Sequence, residues 1–344
     1  MIKFNREITN KFEEATTREW FVTNGLGGYA AGTISGVLTR RYHGLLVAAL
    51  DPPLSRTLMA SKIDEIVTCD GEEYILSANI WGDRTADLEG LKFIEEFYLD
   101  GTIPTWIYEL GGPRLRKQIW MLSGENTTYI RYELDKTTSF LDLRLNAILN
   151  LRDHHGLTST ENPMIQLEMT ERGVKVSNRE GISAYIFSRG AEIELTNQWK
   201  QYYLRIEDYR GFDALEYGLQ GCTFNTRLRG GESLTVAISI RPDPLLGGNR
   251  ALDGRKEYER LILDLVDGKN LSSMERQLVL AADQFIVERV SENIPDGKSV
   301  IAGFPWFEDW GRDTMIALPG LTLATGRPEV AKQILETFST AIDK

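Results

Sequence analysis

The chain has 344 residues, of which 42% are hydrophobic and 26% are charged, and this length suits one large domain or two ordinary ones. Its net charge of −11 disfavours binding to phosphate backbones, so a nucleic-acid partner is not expected and a neutral ligand suits the charge better. The apolar runs are too short to span a bilayer, and the N-terminus lacks the apolar core of a signal peptide. The two cysteines and three histidines show no clustered spacing between cysteine and histidine. These features predict a cytoplasmic protein with no membrane contact, no metal and no cofactor.

Residues 1–245 are rich in strand patterns. Segments of β-branched and aromatic residues, several of which alternate apolar with polar side chains, occur at residues 19–24, 65–77, 127–134, 139–149, 173–178, 191–197 and 232–241. Turn signals separate these segments, and Asp70-Gly71 predicts the tip of a hairpin. Many short strands with few helical patterns predict a mainly β fold built as an antiparallel sandwich.

The chain changes character near residue 245. Residues 241–249 hold two prolines and two glycines, which predict a linker. Beyond it, apolar residues recur every three or four positions over 251–266 and 272–290, the spacing of amphipathic helices. In the second segment Ser272 or Ser273 is the predicted N-cap, with Glu275 close behind. The apolar face predicted for this helix consists of Leu278, Ala281, Ala282, Phe285 and Ile286.

A third helix is predicted to follow Asp313 and to run to about Thr325. Gly326 is expected to end it, because glycine adopts the left-handed backbone found after helices. Pro328 then suits the first position of a fourth helix. The C-terminal part of the chain is therefore expected to consist of helical hairpins.

The sequence GLGGYA at residues 25–30 has the glycine pattern of a dinucleotide-binding fingerprint and follows a predicted strand. That fingerprint requires a helix whose N-terminus holds the pyrophosphate. The residues that follow, AGTISG, include glycines, a serine and β-branched residues that oppose a helix. Glycine-rich turns between strands are the favoured interpretation, and a dinucleotide site at Gly25 and Gly27 stays a remote alternative.

Two further polar motifs precede the helical part. In TRRYHG, Arg41 and His43 could hydrogen-bond to sugar hydroxyls or to carboxylates, and a structural ion pair at a domain border is an equal alternative. In RDHHG, His154 and His155 would face opposite ways on a strand and could not chelate one ion together. A polar loop is the favoured interpretation of the second motif.

The strongest candidate site is GFPWFEDWGRDT, residues 303–314. Trp306, Phe307 and Trp310 lie in a predicted loop, and Arg312 and Asp313 lie where a helix begins. A structural interpretation makes Asp313 the helix cap, but it does not explain three aromatic residues in the adjoining loop. Flat aromatic rings beside fixed charges suit a pyranose, which stacks on the rings and pairs its hydroxyls with the charges. The motif therefore predicts a sugar site.

This motif, extended to AGFPWFEDWGRDTMIALPGLTLATGR, and the stretch EWFVTNGLGGYAAGTISGVLTRRYHGLLVAAL closely resemble the prokaryotic glycogen debranching enzymes of the amylo-α-1,6-glucosidase type. The resemblance covers essentially the whole chain. It implies an N-terminal antiparallel β-supersandwich domain over residues 1–245, a helical linker over 246–271 and, over 272–344, helices that begin an (α/α)6 barrel. The family's transferase barrel has no counterpart, so 4-α-glucanotransfer is not implied.

The sequence WGRD is also similar to the arginine–aspartate pair that holds the terminal glucose in related inverting glucoamylases. This similarity assigns Arg312 and Asp313 to substrate binding rather than to proton transfer. No catalytic residue is identified in the chain. The substrate-binding set that we expect is Trp310, Arg312, Asp313, Trp306, Arg41 and His43.

A twelve-helix barrel needs roughly 350 residues, at about 11–12 residues per helix plus connections. Only residues 272–344 follow the predicted linker, and the family's general acid and base lie downstream of WGRD. We therefore expect an N-terminal portion of an inverting α-1,6-glucosidase that acts on α-glucan at glycogen branch points, inactive by itself. A non-catalytic α-glucan-binding module is the alternative, and apolar helix faces without barrel partners are consistent with a homodimer.

Overall fold

A computed structural model describes residues 2–159, 165–244, 247–266, 270–291 and 294–340. The N-terminal part begins with β1 (Lys3–Asn5), α1 (Arg6–Thr9), α2 (Phe12–Thr16), β2 (Glu19–Thr23), β3 (Tyr29–Thr33), β4 (Gly44–Asp51), β5 (Leu54–Cys69), β6 (Glu72–Ile75), β7 (Asn79–Ile80) and β8 (Ala86–Asp87). After a 3-10 turn it continues with β9 (Ile94–Asp100), β10 (Ile103–Glu109), β11 (Arg114–Met121), β12 (Thr127–Leu134), β13 (Phe140–Asp153), β14 (Gln166–Thr170), β15 (Gly173–Ser177), β16 (Ser183–Ser188), β17 (Glu192–Tyr203), α3 (Arg205–Tyr209), β18 (Leu215–Arg229) and β19 (Ser233–Ser239).

Helices dominate the C-terminal part, which contains α4 (Gly248–Asp264), α5 (Ser273–Asp283), β20 (Ile286–Glu288), β21 (Lys298–Val300), α6 (Gly311–Leu321) and α7 (Pro328–Ser339). The expectation of a mainly β fold with antiparallel sheets followed by helices is confirmed. The predicted linker includes residues 245 and 246, and the predicted 246–271 segment includes 267–269, all outside the described residues. The domain boundaries accordingly stay predictions.

Within the described residues, two large antiparallel sheets form the sandwich. One has nine strands in the order β1-β9-β10-β11-β12-β19-β16-β15-β14. The other has eight, in the order β17-β18-β13-β5-β4-β3-β2, with β6 paired to β5. Asp70 and Gly71 form the turn between β5 and β6 as predicted, with φ values of 50° and 87°. Both values are positive, as a tight two-residue hairpin turn requires.

Side chains from the two sheets meet in one apolar core. Ile63 and Leu145 of the eight-stranded sheet belong to the same cluster as Ile119 and Ile130 of the nine-stranded sheet, and all four are at most 2% exposed. Full burial of a side chain of this size contributes roughly 1.5–3 kcal/mol. Burial of the apolar side chains that face between the sheets is therefore a large favourable contribution to stability.

Helix α4 covers the outer face of the nine-stranded sheet. Its residues Ala251 and Leu252 pack against Ile103, Trp120 and Tyr129 of that sheet. These side chains are on strands whose other face already lies in the sandwich core, so both faces of the sheet are covered at this point. The helical part is thus packed against the sandwich and does not project from it.

A buried charged cluster fixes α4 to the sheet. Arg255 and Glu259, one helical turn apart, form an ion pair with Nε and Oε1 2.9 Å apart. Arg255 Nη2 donates to the hydroxyl of Thr102 at 2.6 Å, and Glu259 accepts from the Thr102 backbone amide at 3.2 Å. Because both charges have partners, the cluster joins helix and sheet without an uncompensated buried charge.

The expectation that the C-terminal part contains only helical hairpins is wrong. Helix α5 ends at Asp283, and the chain after it forms β20, which pairs with β21. The face predicted for α5 is also wrong, because Val279 and Leu280 are buried while Leu278 is 59% exposed. Ile286 is β-branched and suits a strand, and pairing with a segment farther along the chain decides its conformation.

The local helix signals are confirmed. Ser272 is the N-cap of α5, its hydroxyl accepts from the Glu275 amide, and the Glu275 carboxylate accepts from the Ser272 amide. The helix predicted to follow Asp313 and to run to about Thr325 instead begins at Gly311 and ends at Leu321, and a separate 3-10 turn continues to Thr325. Gly326 ends that turn with a φ of 74°, and Pro328 is the first residue of α7 as predicted. Each of these features depends on residues that are neighbours in sequence.

Candidate functional site

The aromatic motif forms a compact loop between β21 and α6. The Phe307 amide donates to the Gly303 carbonyl at 2.8 Å, and the Ala302 amide donates to the Glu308 carbonyl at 2.9 Å. Asp309 lies at the end of this loop, and its side chain is 6% exposed. Its carboxylate accepts from Ser299 Oγ at 2.7 Å and pairs with Arg289. Asp309 is therefore committed to holding the loop.

Three aromatic side chains of this loop face solvent. Trp306 is 36% exposed, Phe307 55% and Trp310 56%. By contrast, Trp120 in the sandwich is fully buried. Large aromatic rings bury more apolar area than most side chains, so a cluster left exposed on a structured loop marks a surface that can bind a flat, partly apolar ligand.

Arg312 and Asp313 lie in the first turn of α6, beside the aromatic loop. Trp310 occupies the N-cap position, and no side chain caps the helix there. The structural interpretation in which Asp313 is the cap is therefore wrong. The two side chains are 80% and 46% exposed, and Arg312 Nε lies 3.8 Å from Asp313 Oδ2. An exposed pair of this length contributes about 0–1 kcal/mol to stability, so both charges are available to a ligand.

An aromatic cluster anchors the loop on the sandwich. Phe304 packs against Phe21 and Tyr29, with ring centroids 5.0 and 5.8 Å apart, and against Phe285 at 6.1 Å. Phe21 and Tyr29 belong to the paired strands β2 and β3. The N-terminal end of the loop is therefore fixed on the eight-stranded sheet.

The TRRYHG motif also reaches this loop, through residues that sequence reasoning did not select. Tyr42 makes an edge contact with Trp306 at 6.4 Å between ring centroids, and the Arg40 guanidinium lies 5.6 Å from the Trp306 ring. Glu19 holds Arg40 through a 2.6 Å ion pair and lies 3.1 Å from His43 Nε2. Burial would raise the pKa of Glu19, but the hydrogen bonds and charges of His43 and Arg40 outweigh it and lower this pKa to about 2.

Arg41 and His43 lie behind this surface. Arg41 pairs with the fully buried Glu207 at 3.1 Å and donates to the carbonyls of His155 and Asp213 at 2.8 and 3.2 Å. His43 Nδ1 accepts from the Thr39 amide at 3.2 Å, and its other ring nitrogen faces Glu19. Both side chains thus make intramolecular contacts, the structural alternative considered for them, and direct contact with a sugar would require breaking these bonds.

The adjacent histidines lie in a turn after β13, in agreement with the loop favoured from the sequence, so the opposed rings that a strand would impose do not form. The ring centroids of His154 and His155 are 3.9 Å apart. His154 Nδ1 lies 3.1 Å from the Arg56 carbonyl, so this nitrogen carries the proton. Burial lowers the pKa of His154 to about 4, and the neighbouring His155 and Arg56 act in the same direction. His154 is therefore neutral near pH 7.

The GLGGYA segment forms the turn between the antiparallel strands β2 and β3. Gly25 and Gly27 have φ values of 72° and 89°, and a Cβ atom on Gly27 would lie 2.5 Å from the Pro53 carbonyl oxygen. No helix begins at this turn, so the geometry that holds a pyrophosphate is absent from this described segment. The dinucleotide-binding alternative is therefore wrong.

Together, the exposed aromatic loop and the charges beside it on the β-sandwich form a surface that suits a small ligand with one flat apolar face and several polar groups. A family model described as "Glycogen debranching enzyme N terminal" matches residues 18–235, well over half of the chain, and one described as "Amylo-alpha-1,6-glucosidase" matches residues 280–344. The chain belongs to the glycogen debranching enzyme family. This finding confirms the family expected from the sequence.

Solved structures that are similar to the chain include the following two. A bacterial glucoamylase complexed with acarbose is 11% identical with a TM-score of 0.47, over 93% of this chain and 49% of that one. A 4-alpha-glucanotransferase from Thermococcus litoralis is 13% identical with a TM-score of 0.27, over 63% of this chain and 35% of that one. The chain thus spans about half the length of the glucoamylase.

No curated protein matches it. Among the described residues, no helix is both long and apolar enough to cross a membrane.

Proposed function

We propose that this chain is the α-glucan-binding N-terminal portion of a debranching enzyme that hydrolyses α-1,6-linked glucose at glycogen branch points. The observation that carries the proposal is the exposed surface formed by Trp306 and Trp310 beside the exposed charges of Arg312 and Asp313. A glucose ring stacks on an indole, and its hydroxyls pair with a guanidinium and a carboxylate. Residues 1–245 supply the β-supersandwich, 246–271 the linker, and 272–344 the start of an (α/α)6 barrel.

The chain by itself is proposed to bind glucan without hydrolysing it. An inverting glycosidase places an acid and a base about 6.5–9.5 Å apart on opposite faces of the bond. Asp309 is occupied by Arg289 and Ser299, Asp313 lies in the first turn of α6, and Glu308 lies two residues before the N-cap of that helix. Carboxylates that share one helix start do not face each other across a sugar, so this motif favours binding and not proton transfer.

Binding is tested by titrating the purified chain with maltotriose and following tryptophan fluorescence or heat. We expect Trp310→Ala to weaken binding roughly tenfold, equal to about 1.4 kcal/mol. Arg312→Ala should cost about 1.5–3 kcal/mol, the contribution of a hydrogen bond to a charged group. Trp199→Ala is the matched control, because Trp199 is as exposed as Trp306 but lies on β17 of the sandwich.

Two outcomes would refute the binding proposal. One is an unmodified chain that does not bind maltotriose at millimolar concentration. The other is an equal loss of binding in Trp199→Ala and Trp310→Ala, because binding would then not depend on the aromatic loop. Isomaltose and cellotriose titrations would show whether the surface prefers α-1,4-linked chains over other glucose polymers.

Hydrolysis is tested by measuring glucose release from a branched limit dextrin. We expect no release by this chain and release by a longer debranching enzyme that contains it. A non-catalytic glucan-binding module is the second candidate, favoured by the same exposed surface, and it predicts binding without release in both proteins. Release by this chain that is lost in Asp313→Asn would overturn the proposed division between binding and catalysis.

The proposal also covers the oligomeric state and the cellular location of the chain. A cytoplasmic location fits glycogen as the substrate. A homodimer is supported by the exposed apolar residues of α6, where Ile316 is 77% and Met315 38% exposed. Sedimentation of the chain at several concentrations tests this, and a monomer at all of them would refute the dimer.

A further inference from the structure

Arg56 connects the sandwich to the aromatic loop. It lies near the start of β5, is 1% exposed, and is far from the loop in sequence. Its Nη1 donates to the Pro305 carbonyl at 3.1 Å, and its Nη2 donates to the Phe307 carbonyl. These two carbonyls belong to the residues immediately before and after Trp306. A single guanidinium thus holds the backbone on both sides of the exposed indole.

Burial of the Arg56 charge destabilises the folded state. Burial lowers the pKa of its guanidinium, and none of the described carboxylates forms an ion pair with it. Glu308, Asp153 and Asp309 offset the charge only from a distance. An apolar side chain of similar size would fill this space without the desolvation cost of a buried charge. Packing alone therefore does not explain why an arginine occupies this position.

What Arg56 provides is a fixed geometry. A guanidinium is planar and presents its donors in a rigid fork, so two carbonyls bonded to it are held at a set separation and angle. The same group lies 5.5 Å from the Phe304 ring, which anchors the start of the loop. With its backbone fixed, the Trp306 indole is further confined by Tyr42 on its edge and Arg40 near its ring.

We propose that Arg56 is a positioning residue for the glucan surface: from the sandwich domain it fixes the two carbonyls that flank Trp306 and so orients this indole for the sugar ring. This inference rests on the proposed function and deepens it. It gives the sandwich a direct role in binding, because a side chain of β5 sets the conformation of a loop that precedes α6. Preorganising an aromatic platform in this way lowers the entropy cost of binding a sugar.

A double-mutant cycle separates this role from a purely structural one. Arg56→Met should raise the dissociation constant for maltotriose roughly tenfold, equal to about 1.4 kcal/mol. If Arg56 acts through Trp306, adding Arg56→Met to Trp306→Ala should cause little further loss. Arg56→Lys, which keeps one charged donor group but loses the fork, should bind with intermediate affinity. Additive losses across the cycle would overturn the proposal.

Arg255→Met is the control for loss of a buried arginine. Arg255 is 4% exposed and joins α4 to the sandwich, and its hydrogen bonds go to Glu259, Thr23 and Thr102. We expect it to lower the melting temperature and leave maltotriose binding unchanged, while Arg56→Met weakens binding at a temperature where both variants are folded. Equal loss of binding in both would refute a specific role for Arg56.

Hydrogen exchange of the loop provides a readout that does not depend on the ligand. We expect the amides of residues 303, 304 and 306–308 to exchange faster in Arg56→Met than in the unmodified chain, with Arg56→Lys in between. If the unmodified chain fails to bind maltotriose, the proposed function fails, and unchanged exchange in the variants would then also exclude the positioning role. If Arg56→Met does not fold, Arg56→Lys carries the same test.

Discussion

Replacing Arg327 with methionine should destabilise the helical part strongly. Arg327 lies between the 3-10 turn and α7, and its side chain is 4% exposed. Its Nη1 lies 2.5 Å from Asp283 Oδ1 at the end of α5, and it also donates to Thr325 Oγ1 at 3.0 Å and the Leu321 carbonyl at 2.9 Å. The Tyr258 hydroxyl of α4 donates to the same aspartate at 2.8 Å. The contacts of this ion pair therefore join α4, α5, α6 and the start of α7.

The size of the stability loss in Arg327→Met follows from the buried charge that the substitution leaves without its partner. Methionine fills similar space but leaves the Asp283 carboxylate, 13% exposed, with only the Tyr258 hydroxyl among these partners. Removing one partner of a buried pair typically costs about 3–5 kcal/mol, because the remaining charge is uncompensated. Adding Asp283→Asn removes that charge. We therefore expect the double variant to be more stable than the sum of the single effects predicts, by about 1–3 kcal/mol.

Urea unfolding followed by circular dichroism measures these free energies, and hydrogen exchange shows whether α7 loses protection first. Lys332→Met is the control on α7, because Lys332 is 67% exposed and lies 3.9 Å from Glu336. It should change stability by less than about 0.5 kcal/mol. A loss below about 1 kcal/mol in Arg327→Met, or strict additivity with Asp283→Asn, would refute the reasoning.

Three smaller perturbations test other parts of the structure. Ser272→Ala breaks the capping box of α5 and should cost about 1 kcal/mol in urea unfolding, whereas Ser273→Ala, one residue later, should cost little. Asp313→Ala should leave the melting temperature unchanged, because this residue caps nothing, and a loss of about 1 kcal/mol would restore the capping role. His154 binds a proton near pH 6.5 when unfolded but only near pH 4 when folded, so stability should fall by at most about 3 kcal/mol as the pH drops through this window. His154→Asn should remove that part of the pH dependence, and an unchanged slope would contradict it.

Signals that act between neighbouring residues were readable from the sequence, and long-range contacts were not. Ser272 and Glu275 cap α5 as expected, because a capping box is complete within four residues. The strand that begins at Ile286 was missed, since its partner β21 follows a separate segment and the same apolar spacing also suits a helix. The period of the pattern alone could not decide between the two.

Some features of the candidate site could likewise be predicted from the sequence, and others depend on long-range contacts. The aromatic loop with Trp306 and Trp310 was predicted, because its composition is unusual within one short stretch. Arg56 was not, because an arginine in a strand pattern gives no sign that it donates to carbonyls in a distant loop. In TRRYHG the motif was recognised but its roles were not, since only the folded chain shows that Arg40 and Tyr42, rather than Arg41 and His43, face Trp306.

The packing of α4 on the nine-stranded sheet has a consequence for dissecting the gene. A stop codon near residue 245 would follow the change in sequence pattern, yet it would uncover Trp120 and Tyr129 on the sheet and leave Thr102 without Arg255 and Glu259. The truncated sandwich should therefore be recovered mainly in inclusion bodies. If the parts on either side of residue 245 are produced as two separate polypeptides, we expect them to associate. This boundary is therefore better suited to a complementation assay than to the isolation of a domain.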